Sequence, residues 1–116
     1  MKIAVRAALV AALAVLAVPT ANGATPTLRG SVGPGFTITL TKAGKKVTTL
    51  KAGTYRIVVA DRASIHNFHL RGPGRNKSTA VAFSGTVTWT LKLRAGRYTY
   101  VCDPHASGMK GSFRVT

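Results

Sequence analysis

The stretch 98–116, Tyr-Thr-Tyr-Val-Cys-Asp-Pro-His-Ala-Ser-Gly-Met-Lys-Gly-Ser-Phe-Arg-Val-Thr, carries the strongest structural signal in the chain. Tyr98, Tyr100 and Cys102 stand at alternate positions, so they share one face of a predicted strand that ends in a cysteine. The segment 103–109 then contains a proline and a glycine, which favour a loop. Apolar alternation resumes after it, so the stretch predicts two strands joined by a short loop.

The same alternation extends upstream through most of the chain, and no segment after residue 24 has helical periodicity. Alternating apolar positions are Phe36, Ile38 and Leu40; Tyr55, Ile57 and Val59; Val87, Trp89, Leu91 and Leu93; and finally Phe113 and Val115. Glycine- and proline-containing turns separate these runs. The pattern predicts an all-β, two-sheet sandwich of about eight strands across residues 26–116.

Residues 1–24 have the order of a secretory signal peptide, with early charges, an apolar run at 7–18 and small residues at the end. The run is short for a membrane anchor, which needs about 20 apolar residues. Cleavage is expected after Gly23 or Ala24, and the second choice leaves one domain, residues 25–116. The protein is therefore predicted to be exported, to the periplasm, the cell wall or the extracellular space.

The charge balance is strongly basic, with 17 Lys and Arg against 2 Asp and Glu. Such a surface attracts acidic partners, so we expect an acidic redox protein, or an anionic cell-surface polymer or lipid. The basic residues are scattered without interleaved aromatics, and an exported protein rarely meets nucleic acid, so no nucleic-acid partner is expected. The alternative is a solvated basic surface with no dedicated partner. A monomer is expected.

Cys102 is the only cysteine, which excludes an internal disulfide. It is therefore a core thiol, an intermolecular bridge or a metal ligand. His105 and Met109 follow within eight positions and add an imidazole and a thioether. Two histidines and a thiolate in a trigonal set, with a weak axial methionine, describe a blue-copper site. The sequence thus predicts one type 1 copper ion bound by Cys102, His105, Met109 and a second histidine.

Two histidines compete for the remaining position, His66 and His69. If residues 64–70 form a strand, His66 shares its face with Phe68 and Leu70, which favour the core. His69 then points to solvent or to the other side. This alternation favours His66 as the ligand.

The two motifs together resemble the cupredoxins, in particular the plastocyanin, amicyanin and pseudoazurin group. His66-Asn67 and Cys102-x-x-His105-x-x-x-Met109 carry the resemblance, which spans residues 26–116. It implies an eight-stranded Greek-key sandwich with the metal near one end. It also implies that His66 and His105 are the imidazole ligands, Cys102 the thiolate and Met109 the axial thioether. Two residues lie between Cys102 and His105, as in plastocyanin, and three lie between His105 and Met109, which is closer to the azurin pattern.

The resemblance also implies roles for the neighbours of these ligands. Asn67 is expected to link the His66 segment to the Cys102 loop and to donate its backbone N–H to the sulfur. The exposed edge of His105 is expected to pass electrons. An apolar rim around it is expected from Pro104, Ala106, Gly72 and Pro73.

Together these features predict an electron carrier that uses Cu(I) and Cu(II). Four protein ligands leave no open position for a substrate, so no enzymatic activity is expected. A copper-binding module for storage, delivery or copper stress uses the same ligands and is the first alternative. A basic sandwich that binds wall polyanions without copper is the second.

Overall fold

The computed structural model describes residues 24–116, so the predicted signal peptide lies outside the described residues except for Ala24. The described chain contains strands and one short 3₁₀ turn. Their bounds are β1 (Thr27–Val32), β2 (Ile38–Lys42), β3 (Lys45–Lys46), β4 (Thr49–Leu50), β5 (Gly53–Asp61), β6 (His69–Gly72), β7 (Arg75–Ser78), β8 (Gly85–Leu93), β9 (Gly96–Val101), the 3₁₀ turn (Asp103–His105) and β10 (Lys110–Val115). Within this range, no helix has the length and apolar character needed to cross a membrane.

The strands form two five-stranded sheets, in the orders β3-β2-β1-β5-β8 and β4-β10-β9-β6-β7. β1 pairs with β5, and β4 with β10, in parallel. The other pairs are antiparallel. The all-β sandwich is therefore confirmed. The expected strand number is also close, because β3 and β4 are two-residue pieces beside eight longer strands.

The core lies between the sheets and is built from the alternating positions of long strands. Tyr55, Ile57 and Val59 of β5 are buried, as the sequence predicts. In the facing sheet, Tyr100 of β9 stacks on Phe68, which precedes the neighbouring β6, with 5.6 Å between the ring centroids. Large apolar side chains on facing sheets remove their surface from water, which is the main stabilising term for a domain of this size.

One core prediction is wrong, because Phe36 lies outside the core and is 67% exposed. Its strand, β2, begins only at Ile38. The preceding residues form a loop that is closed by a hydrogen bond from the Gly33 N–H to the Thr37 carbonyl. The alternating pattern that includes Phe36 therefore extends beyond the start of β2. The direction of the Phe36 ring is set by the loop and not by the alternation of side chains along a strand.

Strand register brings four loops to one end of the sandwich. Val32, the last residue of β1, is paired with Asp61, the last residue of β5. In the other sheet, His69 is paired with Val101 of β9 and with Ser78 of β7. The loops that follow or precede these positions are 33–37, 62–68, 79–84 and 102–109. They contain the four predicted ligands, His66, Cys102, His105 and Met109, and we call this the metal end.

Candidate metal centre

The loop after β9 folds back on itself and closes with its own hydrogen bonds. The Cys102 N–H donates to the Met109 carbonyl (3.0 Å), and the Met109 N–H donates to the His105 carbonyl (2.9 Å). Pro104 lies in the 3₁₀ turn, where its fixed φ suits the tight bend. Cys102 and Met109 are buried, with 0% and 1% exposure. The loop thus presents Cys102, His105 and Met109 from a closed turn.

His66 reaches the same place from the loop between β5 and β6. Its N–H donates to the Ala63 carbonyl (3.2 Å), and β6 begins only at His69. The expected strand through residues 64–70 is therefore wrong in its first part. The turn, not strand parity, directs the His66 side chain inward. The imidazole is fully buried.

Gly33 permits this close approach from the neighbouring loop. Its φ is +73°, which is favourable for glycine but costly for other residues. A Cβ at this position would lie 2.9 Å from the Cβ of Ala63 and 3.2 Å from Cδ2 of His66. The 33–37 loop can therefore pack directly against the His66 turn.

Three donor atoms converge at the centre of the metal end. The Nδ1 atoms of His66 and His105 are 3.1 Å apart. The Cys102 Sγ lies 3.6 Å from the first nitrogen and 3.5 Å from the second. A trigonal ion with bonds of about 2.0–2.3 Å would need separations of about 3.5–3.7 Å. The three side chains therefore fit one metal ion after a small outward adjustment of the nitrogens.

The environment of His66 also favours a metal site over ordinary core packing. Its Nε2 atom is buried without a hydrogen-bond partner among the described residues. An unsatisfied buried polar group costs about 1–3 kcal/mol. An aliphatic side chain would avoid that cost, so core packing does not explain why a histidine stands here. Metal binding by the Nδ1 atom does explain it. Thiolate and imidazole donors together suit copper.

Asn67 joins the His66 turn to the Cys102 loop, as expected. Its Nδ2 donates to Asp103 Oδ2, and its Oδ1 accepts from the Asp103 N–H, both at 2.7 Å. The predicted N–H bond from Asn67 to the sulfur is not found. Among the described residues, the polar groups at hydrogen-bond distance from Cys102 Sγ are the two imidazole nitrogens. Asn67 therefore positions the loop through its side chain.

The comparisons with known proteins agree with this geometry. The profile of the copper binding proteins, plastocyanin/azurin family, matches residues 31–116. The chain belongs to this family. Its membership confirms the cupredoxin resemblance and copper as the cofactor. A search of curated protein sequences gives no significant match.

Solved structures of rusticyanin share the cupredoxin fold with this chain. Reduced rusticyanin is 25% identical, with a TM-score of 0.58, and the alignment covers 81% of each chain. Rusticyanin from Thiobacillus ferrooxidans is 26% identical, with a TM-score of 0.56, over 81% of this chain and 79% of that one. A further rusticyanin structure, at 21% identity and a TM-score of 0.61, supports the fold alone.

His69 is not a surface residue of this cupredoxin. Strand parity left two placements open for it, in solvent or on the other side, and the structure excludes the first. It is 7% exposed, and its Nδ1 lies 2.9 Å from both carboxylate oxygens of Asp103. Its Nε2 lies 2.6 Å from Asn76 Oδ1 and 3.0 Å from Nε of Arg71. His69 thus stands behind the Cys102 loop, while His66 lies in the donor cluster.

Asp103 is the point where these polar contacts meet. Its burial would raise the pKa of the carboxyl. Hydrogen bonds from Asn67 and His69, and the positive charges of His69 and Arg71, outweigh this and lower the pKa below its ordinary value. A charged Asp103 therefore sits beside Cys102. The sequence showed only an isolated acidic residue here, because its partners are more than thirty positions away.

The apolar side of the metal end differs from the predicted rim. The Phe36 ring lies edge-on to both imidazoles, with centroids 5.2 Å from His66 and 5.1 Å from His105. Pro104 and Ala106 are exposed in the ligand loop, as expected. The placement of Gly72 and Pro73 at the rim is wrong. Pro73 packs near Gly96, at the opposite end of β9 from Cys102.

Proposed function

We propose that this cupredoxin is an exported carrier of single electrons without substrate chemistry of its own. His66, Cys102 and His105 hold the copper, and Met109 is the weak axial ligand. Copper bound there supplies the reversible Cu(I)/Cu(II) couple. The observation that carries the proposal is the convergence of the three donor atoms, which all lie within 4.8 Å of one another.

The surroundings of the donor atoms suit repeated electron transfer. Cys102 and His66 are fully buried, and the ligand loop is closed by backbone hydrogen bonds. Asn67 adds two further bonds between the loops. Ligands that are held in place before the metal binds need little rearrangement when the charge of the site changes. Four protein ligands also leave no position for a substrate.

His105 supports a route for electrons at the surface. It is partly exposed, unlike His66, and it contacts the exposed ring of Phe36. The exposed large apolar side chains of the described residues are Phe36, Ile65 and Val81, and all three lie in metal-end loops. An exposed apolar patch of this kind is typical of a docking surface. A redox partner would cover it and approach the His105 edge.

The net positive charge supports an acidic redox partner. The protein would bind this partner as a monomer. Arg62 is the only lysine or arginine in the four metal-end loops, and Lys110 follows the ligand loop directly. These cations would contact acidic groups at the margin of the partner's face. Charges at a rim mainly affect the rate of encounter and its salt dependence.

Copper loading of the purified protein, residues 25–116, tests the central proposal. Addition of Cu(II) should give an intense visible absorption band and narrow copper hyperfine splitting in electron paramagnetic resonance. Cys102→Ser should abolish the band, and His66→Ala should reduce it more than His69→Ala. A colourless wild-type protein, or a band that persists in Cys102→Ser, would contradict the site.

The same preparation separates an electron carrier from a copper storage or delivery protein. A carrier should exchange electrons rapidly with small redox proteins and retain its copper against a competing chelator. A delivery protein should release the metal readily to a chelator or an acceptor protein. Fast copper release together with slow electron exchange would favour the delivery role.

A further inference from the structure

The basic residues look scattered in the sequence, but the sheet register gathers many of them at the end opposite the metal. Lys42 and Lys45 flank the turn between β2 and β3, and Lys51 precedes β5. β5 runs from Gly53 to Asp61 at the metal end. Nine extended residues place the two ends about 26–30 Å apart. We call the end that carries these lysines the basic end.

Further cations lie at the same end, in or after β8 of the same sheet and in strands of the other sheet. Gly96 begins β9 far from Cys102, and it is paired with Val115 and packed near Pro73. The cations at or within one residue of a strand end there are Arg75, Lys92, Arg94, Arg97 and Arg114. The metal-end loops hold only Arg62. Charge is therefore separated along the long axis of the domain.

No acidic side chain lies at the basic end. The chain has only two acidic residues, Asp61 and Asp103. Asp61 is 2% exposed and accepts hydrogen bonds from the Thr79 hydroxyl (2.8 Å) and the Ala63 N–H (3.3 Å). Asp103 is held by Asn67 and His69. Both acidic side chains thus lie at the metal end, so no acidic side chain offsets the repulsion among the cations of the basic end.

The lysines of the basic end also line a groove, not a flat face. The groove has a volume of about 470 Å³. Its lining includes Lys42, Lys45, Lys46, Lys51, the hydroxyl-bearing Thr48, Thr49 and Tyr55, and the apolar Val47 and Leu50. Lysine ammonium groups and threonine hydroxyls are donors suited to phosphate or carboxylate oxygens. The Tyr55 hydroxyl already donates to the Lys51 carbonyl (2.7 Å) and shapes the groove instead.

We propose that this groove binds a linear polyanion whose phosphates or carboxylates are closely spaced. A concave site accepts a single extended chain, whereas a bilayer presents a broad surface. Membrane binding would also require apolar side chains to enter the lipid. The exposed large apolar residues, Phe36, Ile65 and Val81, lie at the metal end instead. Binding at the basic end would leave the metal end free for a redox partner.

The test compares two variants that lose the same charge. Lys42→Gln, Lys45→Gln, Lys46→Gln and Lys51→Gln together remove the groove cations. The matched control combines Arg29→Gln, Arg62→Gln, Lys77→Gln and Lys110→Gln, which are exposed positions outside the groove. Binding of long-chain polyphosphate and of poly-glutamate to residues 25–116 is measured by titration calorimetry over a range of salt concentrations. Vesicles of phosphatidylglycerol provide the lipid arm.

The groove variant should bind either polymer more than tenfold more weakly at low salt, while the control should change by less than threefold. The slope of log affinity against log salt should fall by about 3–4 for the groove variant, because each lost contact releases one counterion fewer. Equal losses in both variants would show that net charge alone acts. Absence of polymer binding, or binding to vesicles alone, would also overturn the proposal.

The inference can fail independently of the proposed electron-carrier role. The visible copper band should be the same in the wild type and in both variants, because none of the substituted residues is a proposed ligand. A normal band with equal polymer binding in the two variants would reject the groove and retain the copper site. A wild type that binds the polymers but shows no copper band would retain the groove and reject the copper site.

Discussion

The two ends of the sandwich are built from the same strands but from different side chains. At the metal end, the buried Asn67 and His69 both bond to Asp103 behind Cys102, and Phe36 lies exposed in front of His105. At the basic end, lysines line a groove that has no acidic side chain in its lining. A fold can thus keep a rigid, nearly neutral centre at one end and a strongly charged surface at the other. The strands between them separate the two functions by distance.

The largest effect is expected when the polar side of the metal end is broken. Asn67→Ala removes both hydrogen bonds between the His66 turn and Asp103. Partners that orient metal ligands typically contribute about 10- to 100-fold to metal affinity. We expect a loss of that size, measured by competition with a copper chelator. Thr88→Ala, at an exposed position on β8 with no contact to this cluster, is the control, and an equal loss there would contradict a specific role for Asn67.

The apolar side of the metal end should affect rate and not affinity. Phe36→Ser removes the exposed ring beside His105 and should slow electron exchange with a redox partner about tenfold, which corresponds to about 1.4 kcal/mol. The reduction potential should stay the same. Stopped-flow kinetics and voltammetry measure the two quantities. Val81→Ser, another exposed apolar position, should slow exchange less, and an equal loss would show that no single residue anchors docking.

His69 should tune the copper through Asp103. A carboxylate beside the thiolate ligand favours the more positive oxidised metal, and donation from His69 disperses its charge. His69→Leu should therefore lower the equilibrium constant for reduction of Cu(II) to Cu(I) about threefold to tenfold. A tenfold change lowers the reduction potential by about 59 mV. His69→Asn, which keeps a donor near the Nδ1 position, should restore part of the shift.

A double-mutant cycle separates this tuning from a packing role for His69. In an Asp103→Asn background, His69→Leu should shift the potential less than half as much, because the charge it disperses is gone. Voltammetry of the four proteins gives the coupling. An equal shift in both backgrounds, or a lower unfolding free energy with no change in potential, would mean that His69 acts only through packing.

The smallest effect is expected across the length of the molecule. Saturation of the basic end with polyphosphate should change two quantities by less than about twofold. They are the equilibrium constant for reduction of the copper and the rate of electron exchange with a small neutral reagent. Sites this far apart with no shared contacts usually behave independently. A large change on polymer addition would show that the polymer covers the metal end, and the contrast between the ends would then be wrong.

Local patterns in the sequence were enough for the strands and for most of the site. Alternation predicted the buried faces of β5 and β9, because side chains on a strand point to opposite sides with a period of two. The short spacing of Cys102, His105 and Met109 placed them in one loop. Alternation was unreliable near strand ends, because a period of two no longer gives direction in a loop. Phe36 points away from the core, and His66 points inward as predicted, but because of a turn and not of strand parity.

Contacts between distant segments needed the register of the sheets. Asp103 looked isolated until the pairing of β6 with β9 brought His69 beside Val101, one residue before Cys102. Pro73 looked close to the site in sequence, yet β6 carries it to the opposite end. No signal within a few residues could have given either result, because both depend on which strand lies next to which.

The sequence by itself determined that the chain forms a β-sandwich, that it has a single thiol for a metal and that it is strongly basic. These properties follow from residue types, their spacing along the chain and their total charge. The sequence also favoured His66 over His69, but the tertiary structure alone decided how His66 reaches Cys102, which carboxylate stands behind it and where the positive charge collects. Those outcomes depend on distances between residues far apart in the chain, and only strand pairing and loop packing set such distances.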